Sequence, residues 1–228
     1  MKSAFETVEA LYGERNLHLR HPVSAEIVSI PIMGASKSLK DRHTLFISTR
    51  AVDSGMLDGL IAHEMGHMFR TEAGHPSHDP EVYRQIGLEV RIPRAAEGAF
   101  GQAFNHIQDI YADDLSFLVF HQDGDDRAYR FFAAWVDGNS SSRAKNRWQN
   151  VGLAVSNGFA IGNLIRHKLL GSDDPLWERA RTFDREAGFL AVDLFAEFFS
   201  TLPRDPSAEM FVGNVKALAD LMARAAAT

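Results

Sequence analysis

Residues 60–69 (Leu-Ile-Ala-His-Glu-Met-Gly-His-Met-Phe) constrain this chain more than any other stretch. Met56, Leu57, Leu60, Ile61, Ala62, Met65, Met68 and Phe69 are apolar around most of a helical circumference, which describes a helix buried on nearly all sides. Inside that apolar run stand His63, Glu64 and His67. At about 3.6 residues per turn, positions four apart project from nearly the same side, so the two histidines can grip one metal ion. Glu64 follows His63 by about 100° of rotation, near enough to orient and deprotonate a water at the metal but too far round to be a ligand. Burying an unpaired carboxylate costs several kcal/mol, and a divalent cation offsets all three groups at once. The competing reading is a polar core network in a helical interaction protein, because a chain with ten histidines meets such a pattern by accident more readily than most.

The chain has no cysteine, so zinc (Zn2+), the expected metal, must be held by histidine and carboxylate, as in hydrolytic rather than structural sites. A catalytic zinc takes three protein ligands, and two histidines leave one to find. His75 and His78 lie in a polar stretch, residues 70–80, with no partner at helical spacing. Residues 95–120 read as a second helix. There Phe100, Ala103, Phe104, Ile107, Ile110, Tyr111, Leu115, Leu118 and Val119 repeat at three and four, and Gln102, His106, Asp109, Asp113 and Ser116 form a polar line at the same spacing. On an exposed helix that line is simply the wet face. Asp109, however, has Asp113 one turn on, so one helix can present a ligand together with an acceptor for the free ring nitrogen of His63 or His67. Asp109 is therefore the expected third ligand, with Asp113 in support and His106 as the alternative.

Along the chain, residues 3–12 read as a helix ended by Gly13, 25–32 as a β-branched strand, 34–40 as an exposed loop and 43–49 as a second strand. Asp53 or Ser54 is placed to cap the metal helix. A short helix is expected over 81–90. Beyond residue 126 the chain reads as helical over 127–136, 148–170, 176–202 and 207–227, with 137–146 as a loop. Phe183, Phe189, Phe195, Phe198 and Phe199 read as core packing. The expected fold is α+β and mostly helical: a small sheet packed on the metal helix, then an extended helical C-terminal half. The expected division is a metal-binding catalytic region, 1–136, and a helical region, 137–228, packed on it as one globular unit. Residues 1–20 carry Glu6, Glu9, Glu14 and Arg15 without a continuous apolar stretch, and no run reaches membrane-spanning length, so a cytoplasmic protein is expected. A net charge of −6 without a basic patch argues against nucleic acid and anionic membranes as partners.

His63-Glu64-x-x-His67 followed by Asp109-x-x-x-Asp113 resembles the zincin metallopeptidases, and within them the gluzincin arrangement, whose second helix carries Glu-x-x-x-Asp. In that family the glutamate is the third zinc ligand and the aspartate one turn on bonds a ligand histidine. Here Asp109 takes the first position, one methylene shorter, which leans toward the aspartate-ligand zincins. Asn105-His106-Ile107-Gln108-Asp109 is also similar to the Asn-x-x-Glu-Asp signature of soluble zincin-like proteins, with Gln108 in place of the acid. Arg70 and Ala73 stand where a metzincin has its glycine and third histidine, so that extension is absent. The resemblance covers roughly residues 40–115. It implies a zinc-dependent metallopeptidase acting on a peptide or protein substrate, with Glu64 as general base and an oxyanion donor drawn from Tyr83, Tyr111, His75, His78 or His121. It also implies that strand 43–49 is the edge on which substrate aligns. The alternative within the same fold is a non-peptide substrate, or a regulatory or binding role carried by the C-terminal helices.

Overall fold

The computed structural model describes residues 1–120, 126–142, 144 and 146–228. The protein is α+β and mostly helical, with a small three-stranded sheet and a helical C-terminal half, as the periodicity predicts. It divides into two compact units, one of residues 1–79 with 111–123 and one of residues 80–110 with 124–228.

The first unit opens with α1 (Lys2–Gly13), then β1 (Val23–Val28), β2 (Gly34–Ser38) and β3 (His43–Ser48), and continues into α2 (Leu57–Glu72). Strand order is β1-β3-β2, with β1 parallel and β2 antiparallel to β3. β3 alternates, burying His43, Leu45 and Ile47, and the last two join Val8 and Tyr12 of α1 and Ile61, Met65 and Met68 of α2 in one core. Tyr12 drives its hydroxyl into this core and donates to the Ala62 carbonyl at 2.8 Å, which ties α1 to α2 one residue before His63. At the other end of α2, Glu72 accepts from the backbone N–H groups of Arg20 and His21 and from Nε2 of His43. These bonds outweigh its desolvation and hold its carboxyl below the usual range.

Two expectations for this region are corrected. Residues 34–40 are not a loop: Gly34–Ser38 forms β2, and the strand 43–49 is consequently the centre of the sheet, not an edge. The segment Gly-Ala-Ser-Lys-Ser carries no apolar alternation because its stability comes from main-chain pairing with β3. Its first residue is small because Leu60 of α2 packs on it, and a Cβ on Gly34 would stand 2.9 Å from a Leu60 methyl. Nor does Asp53 or Ser54 cap α2. Met56 occupies the N-cap position without a side-chain bond, and Ser54 Oγ accepts instead from the Met56 N–H, just ahead of the helix.

The second unit contains α3 (Pro80–Glu89), the first half of α4 (Glu97–Phe120), α5 (Arg127–Ser140), α6 (Arg147–Arg166), α7 (Pro175–Ala187), α8 (Val192–Thr201) and α9 (Ala208–Ala227). α5 runs four residues further than the periodicity predicts, because Asp137 and Asn139 face α7 and α6: Asp137 pairs with Arg179, and Asn139 donates to Ser156 and Asn157. Residues 176–202 are two helices rather than one. The chain turns at Gly188, whose φ of +85° suits a residue without Cβ, and α8 then restarts with its first N–H groups bonded to Asp184. α6 is buried on almost every side, and α8 approaches it so closely that Cβ atoms on Gly158 and Gly162 would stand 2.3 Å from Phe195 Cβ and 2.7 Å from the Ala196 carbonyl oxygen. Phe183, Phe189, Phe195 and Phe199 are buried there as core, and Phe198 is half-buried. Among the described residues, no helix is long and apolar enough to cross a membrane.

Candidate metal centre

α2 buries Ile61, Ala62, Glu64, Met65, Gly66, Met68 and Phe69, and from residue 61 to 70 only His63, His67 and Arg70 stay partly accessible. The helix is therefore apolar around nearly its whole circumference, as its composition requires, and its one wetter stripe is the histidine stripe. His63 and His67 cross edge to face, with their Nε2 atoms 3.1 Å apart.

Each ring is held from behind. His63 Nδ1 lies 2.7 Å from Asp113 Oδ1, and that carboxylate also accepts from Ser116 Oγ at 3.2 Å. Asp113 stands behind the His63 ring as an acceptor for Nδ1, which leaves Nε2 turned forward. His67 Nδ1 lies 2.7 Å from Nε2 of His78, in the single 3-10 turn Pro76–His78 that follows α2. His78 Nδ1 contacts Ser77 Oγ at 2.7 Å, and Ser77 Oγ contacts His75 Nδ1 at 2.7 Å.

The helix pair α2 and α4 is clamped close to these groups. Arg70 Nε donates to the Tyr111 carbonyl at 2.8 Å and its guanidinium stands 3.9 Å from Asp114. Gly66, the second of the two residues between Glu64 and His67, faces the Ala112 backbone, one residue before Asp113. The polar line on α4 is not a wet face: His106, Asp113 and Ser116 are buried and Asp109 is half-buried, while Gln102 alone is exposed. Asp109 precedes Asp113 by one turn of the same helix. One donor atom each from His63, His67 and Asp109 lie within 4.8 Å of one another.

Two nitrogen donors bound to one zinc at about 2.0–2.1 Å and the tetrahedral angle stand about 3.3 Å apart. The 3.1 Å between the two Nε2 atoms fits that spacing, and two histidines with a carboxylate make a donor set suited to a hydrolytic ion. The other candidate ligands are placed differently. His106 is buried and stacked on Phe159 at 4.4 Å, with Nδ1 3.4 Å from Asp109 Oδ2. His75 is buried beside Tyr111, and His78 is engaged with His67.

Glu64 is 6% exposed and makes no hydrogen bond, ion pair or ring contact among the described residues. Of the expected oxyanion donors, Tyr111 is wholly buried, Tyr83 accepts from Gln108 Nε2 at 2.5 Å, and His121 lies outside the described residues. Sequence reasoning missed the part played by Ser77. The signal available for it was the run His75-Pro76-Ser77-His78, in which the proline that starts a tight turn stands between His75 and the pair Ser77-His78, so that a hydroxyl falls between two rings.

No curated protein and no solved structure matches the chain. A family model described as a family of unknown function, DUF5781, matches residues 4–227, nearly the whole length, and the chain belongs to that family.

Proposed function

We propose that the protein is a zinc-dependent metallopeptidase. The observation that carries this reading is the pair of histidine Nε2 atoms 3.1 Å apart, one of them turned forward by the Asp113 carboxylate at its back. Two ring nitrogens brought so close call for a cation between them, and Asp109 supplies the compensating negative charge.

His63, His67 and Asp109 would hold the ion. A bound zinc supplies Lewis acidity and makes water a nucleophile near neutral pH. Glu64, buried and without a side-chain partner among the described residues, would serve as the base toward a water at the ion and pass the proton to the leaving amine. Asp113 keeps the His63 ring in the orientation and tautomer that ligation needs.

A peptide substrate is favoured by the sheet. β2 is an edge strand and packs on α2 through Gly34 and Leu60, one turn before His63 and Glu64. An extended peptide adds to such an edge by main-chain hydrogen bonds, which are indifferent to side chains, so broad specificity follows. A cytoplasmic location is part of this reading.

The test is elemental analysis of the purified chain followed by digestion of casein or a peptide library. One zinc per chain is expected. Glu64→Gln should keep that zinc and lose hydrolysis by at least about a hundredfold, because it removes the base without touching a ligand. A chain that takes up no zinc overturns the reading. Stoichiometric zinc without cleavage of any peptide overturns its peptidase part.

A further inference from the structure

We infer that Ser38, His43 and Glu72 form a second hydrolytic site, in which Ser38 is a nucleophile toward carboxylic esters, His43 is its base and Glu72 is a positioning residue. All three belong to the first unit, and the site shares no residue with the proposed metal centre.

The β2–β3 hairpin and α2 bring the three together. Ser38, the last residue of β2, pairs with His43, the first of β3, and the Leu39 N–H closes the turn between them on the Arg42 carbonyl at 2.8 Å. Ser38 Oγ lies 2.8 Å from His43 Nδ1, and His43 Nε2 lies 2.9 Å from Oε1 of Glu72, the last residue of α2. Burial alone would raise the pKa of Glu72, but the N–H groups of Arg20 and His21 and the His43 ring hold it below the usual range. The carboxyl is therefore an anion, which can only accept. In the neutral His43 ring the hydrogen sits on Nε2, toward Glu72, and the bare Nδ1 accepts from the Ser38 hydroxyl. A hydroxyl bonded to a base that a third group orients is the arrangement by which serine becomes a nucleophile.

Burial separates the tasks. The His43 and Glu72 side chains are 1% and 6% exposed, which shields their bond from competition by water, whereas Ser38, at the end of an edge strand, is only half-buried. The His43 backbone is tied as well: its N–H donates to the Pro22 carbonyl at 2.9 Å and its carbonyl accepts from Ser24 Oγ at 3.2 Å. Lys37 and Lys40, exposed on either side of Ser38 in the chain, favour the negative charge that develops on an attacked carbonyl oxygen. As Ser38 Oγ bonds to the ester carbonyl carbon, His43 Nδ1 takes the hydroxyl proton and passes it to the departing alkoxide. Water then attacks the acylated serine through the same base, which frees the carboxylic acid and returns the proton to Oγ. Esters suit the site better than amides because an alkoxide leaves more readily than an amine.

The experiment treats the purified chain with a fluorophosphonate, in which Oγ bonds to phosphorus as fluoride leaves, and locates the adduct by peptide mass spectrometry. One adduct, on Ser38, is expected, and Ser38→Ala should abolish it. His43→Gln should slow labelling by at least about a hundredfold. Glu72→Gln should lower the maximal labelling rate by at least about tenfold and leave the half-saturating probe concentration unchanged, a split that a merely structural role does not produce. Because His43 is buried and its replacement can unfold the chain, Ser38→Cys reads the same pair in the folded protein. The natural chain has no cysteine, so this thiol is alone, and iodoacetamide at neutral pH should alkylate it at least about ten times faster than the thiol of Ser29→Cys, at an exposed position. A wild-type chain unlabelled at Ser38, or a Ser38→Cys thiol no faster than the exposed one, overturns the inference. An unchanged maximal rate in Glu72→Gln overturns the part given to Glu72. The adduct needs no zinc, so its absence leaves the proposed function standing, and a chain that takes up no zinc leaves this site standing.

Discussion

Gly66 lies against the backbone of Ala112: a Cβ on Gly66 would stand 2.5 Å from the Ala112 carbonyl oxygen and 3.0 Å from its carbon. Neither atom belongs to a side chain that can rotate away, so the approach of α2 to this part of α4 depends on a hydrogen at that position. The residue after Ala112 is Asp113, which holds His63, so the same contact fixes the distance across which ring and carboxylate meet. Gly66→Ala should cost about 1–3 kcal/mol as an overpacked core substitution and should lower zinc affinity with it. Thermal unfolding and chelator competition check this, and a Gly66→Ala chain as stable as wild type with unchanged affinity contradicts it.

Asp109 and Asp113 stand on one helix face but have unequal tasks in the proposed site. Asp109→Ala removes a donor and should lose most of the bound zinc. Asp113→Ala leaves the three proposed ligands in place and removes the acceptor shared by the His63 ring and Ser116, so affinity should fall about ten- to a hundredfold without emptying the site. Elemental analysis of the two variants at equal free zinc separates the roles. If Asp109→Ala keeps its zinc while His106→Ala loses it, the ligand assignment is wrong.

The buried carboxyl of Asp184 predicts a pH dependence of stability. Desolvation pushes it up to about 6, outweighing the two N–H bonds from Ala191 and Val192 that favour its ionised form, and nearby Asp193 adds to the rise. A carboxyl whose folded pKa is raised favours the native state when protonated. Its contribution is complete below the ordinary carboxylate pKa and is lost as pH rises through about 6. Between about pH 7 and about pH 5 the gain on acidification is about 1 kcal/mol. Urea unfolding across that range should show it, and Asp184→Asn, which keeps an acceptor oxygen for the two amides, should flatten the slope. An unaltered slope in Asp184→Asn places its origin in another group.

Gly158 and Gly162 permit the approach of α8 to α6, and their nearest neighbours are Phe195 Cβ and the Ala196 carbonyl oxygen. Gly158→Ala should therefore destabilise despite the better helix propensity of alanine, which is worth only about 1 kcal/mol in its favour. A rise in the unfolding midpoint would show that α8 yields at no cost.

Periodicity carried the helices well, since α1, α2, α3, α4 and α9 each have apolar recurrence that can bury only one way. It failed where structure is held by main chain or by distant side chains. β2 has no apolar alternation to read, because Gly34–Ser38 is stabilised by ladder bonds to β3 and by Leu60. The break at Gly188 is hidden because apolar residues continue on both sides of it, with Phe183 before and Phe189 after, while the cap that restarts the chain comes from Asp184, seven residues before Ala191.

The placing of His63, Glu64 and His67 is a local matter. A helix of their own residues sets the two histidines on one stripe and the glutamate beside it, and the apolar remainder of the helix compels burial, so this much follows from residues 60–69 alone. What brings Asp113 behind His63, fifty residues along the chain, is tertiary: a glycine that lets two helices touch, an arginine that clamps them, and a core that holds both. The same holds for His78, which looked like a loop histidine until the turn at Pro76 folded it back onto His67. The histidine stripe is fixed by helical geometry within one turn, whereas the groups that orient its rings are chosen by packing between segments, which no local pattern encodes.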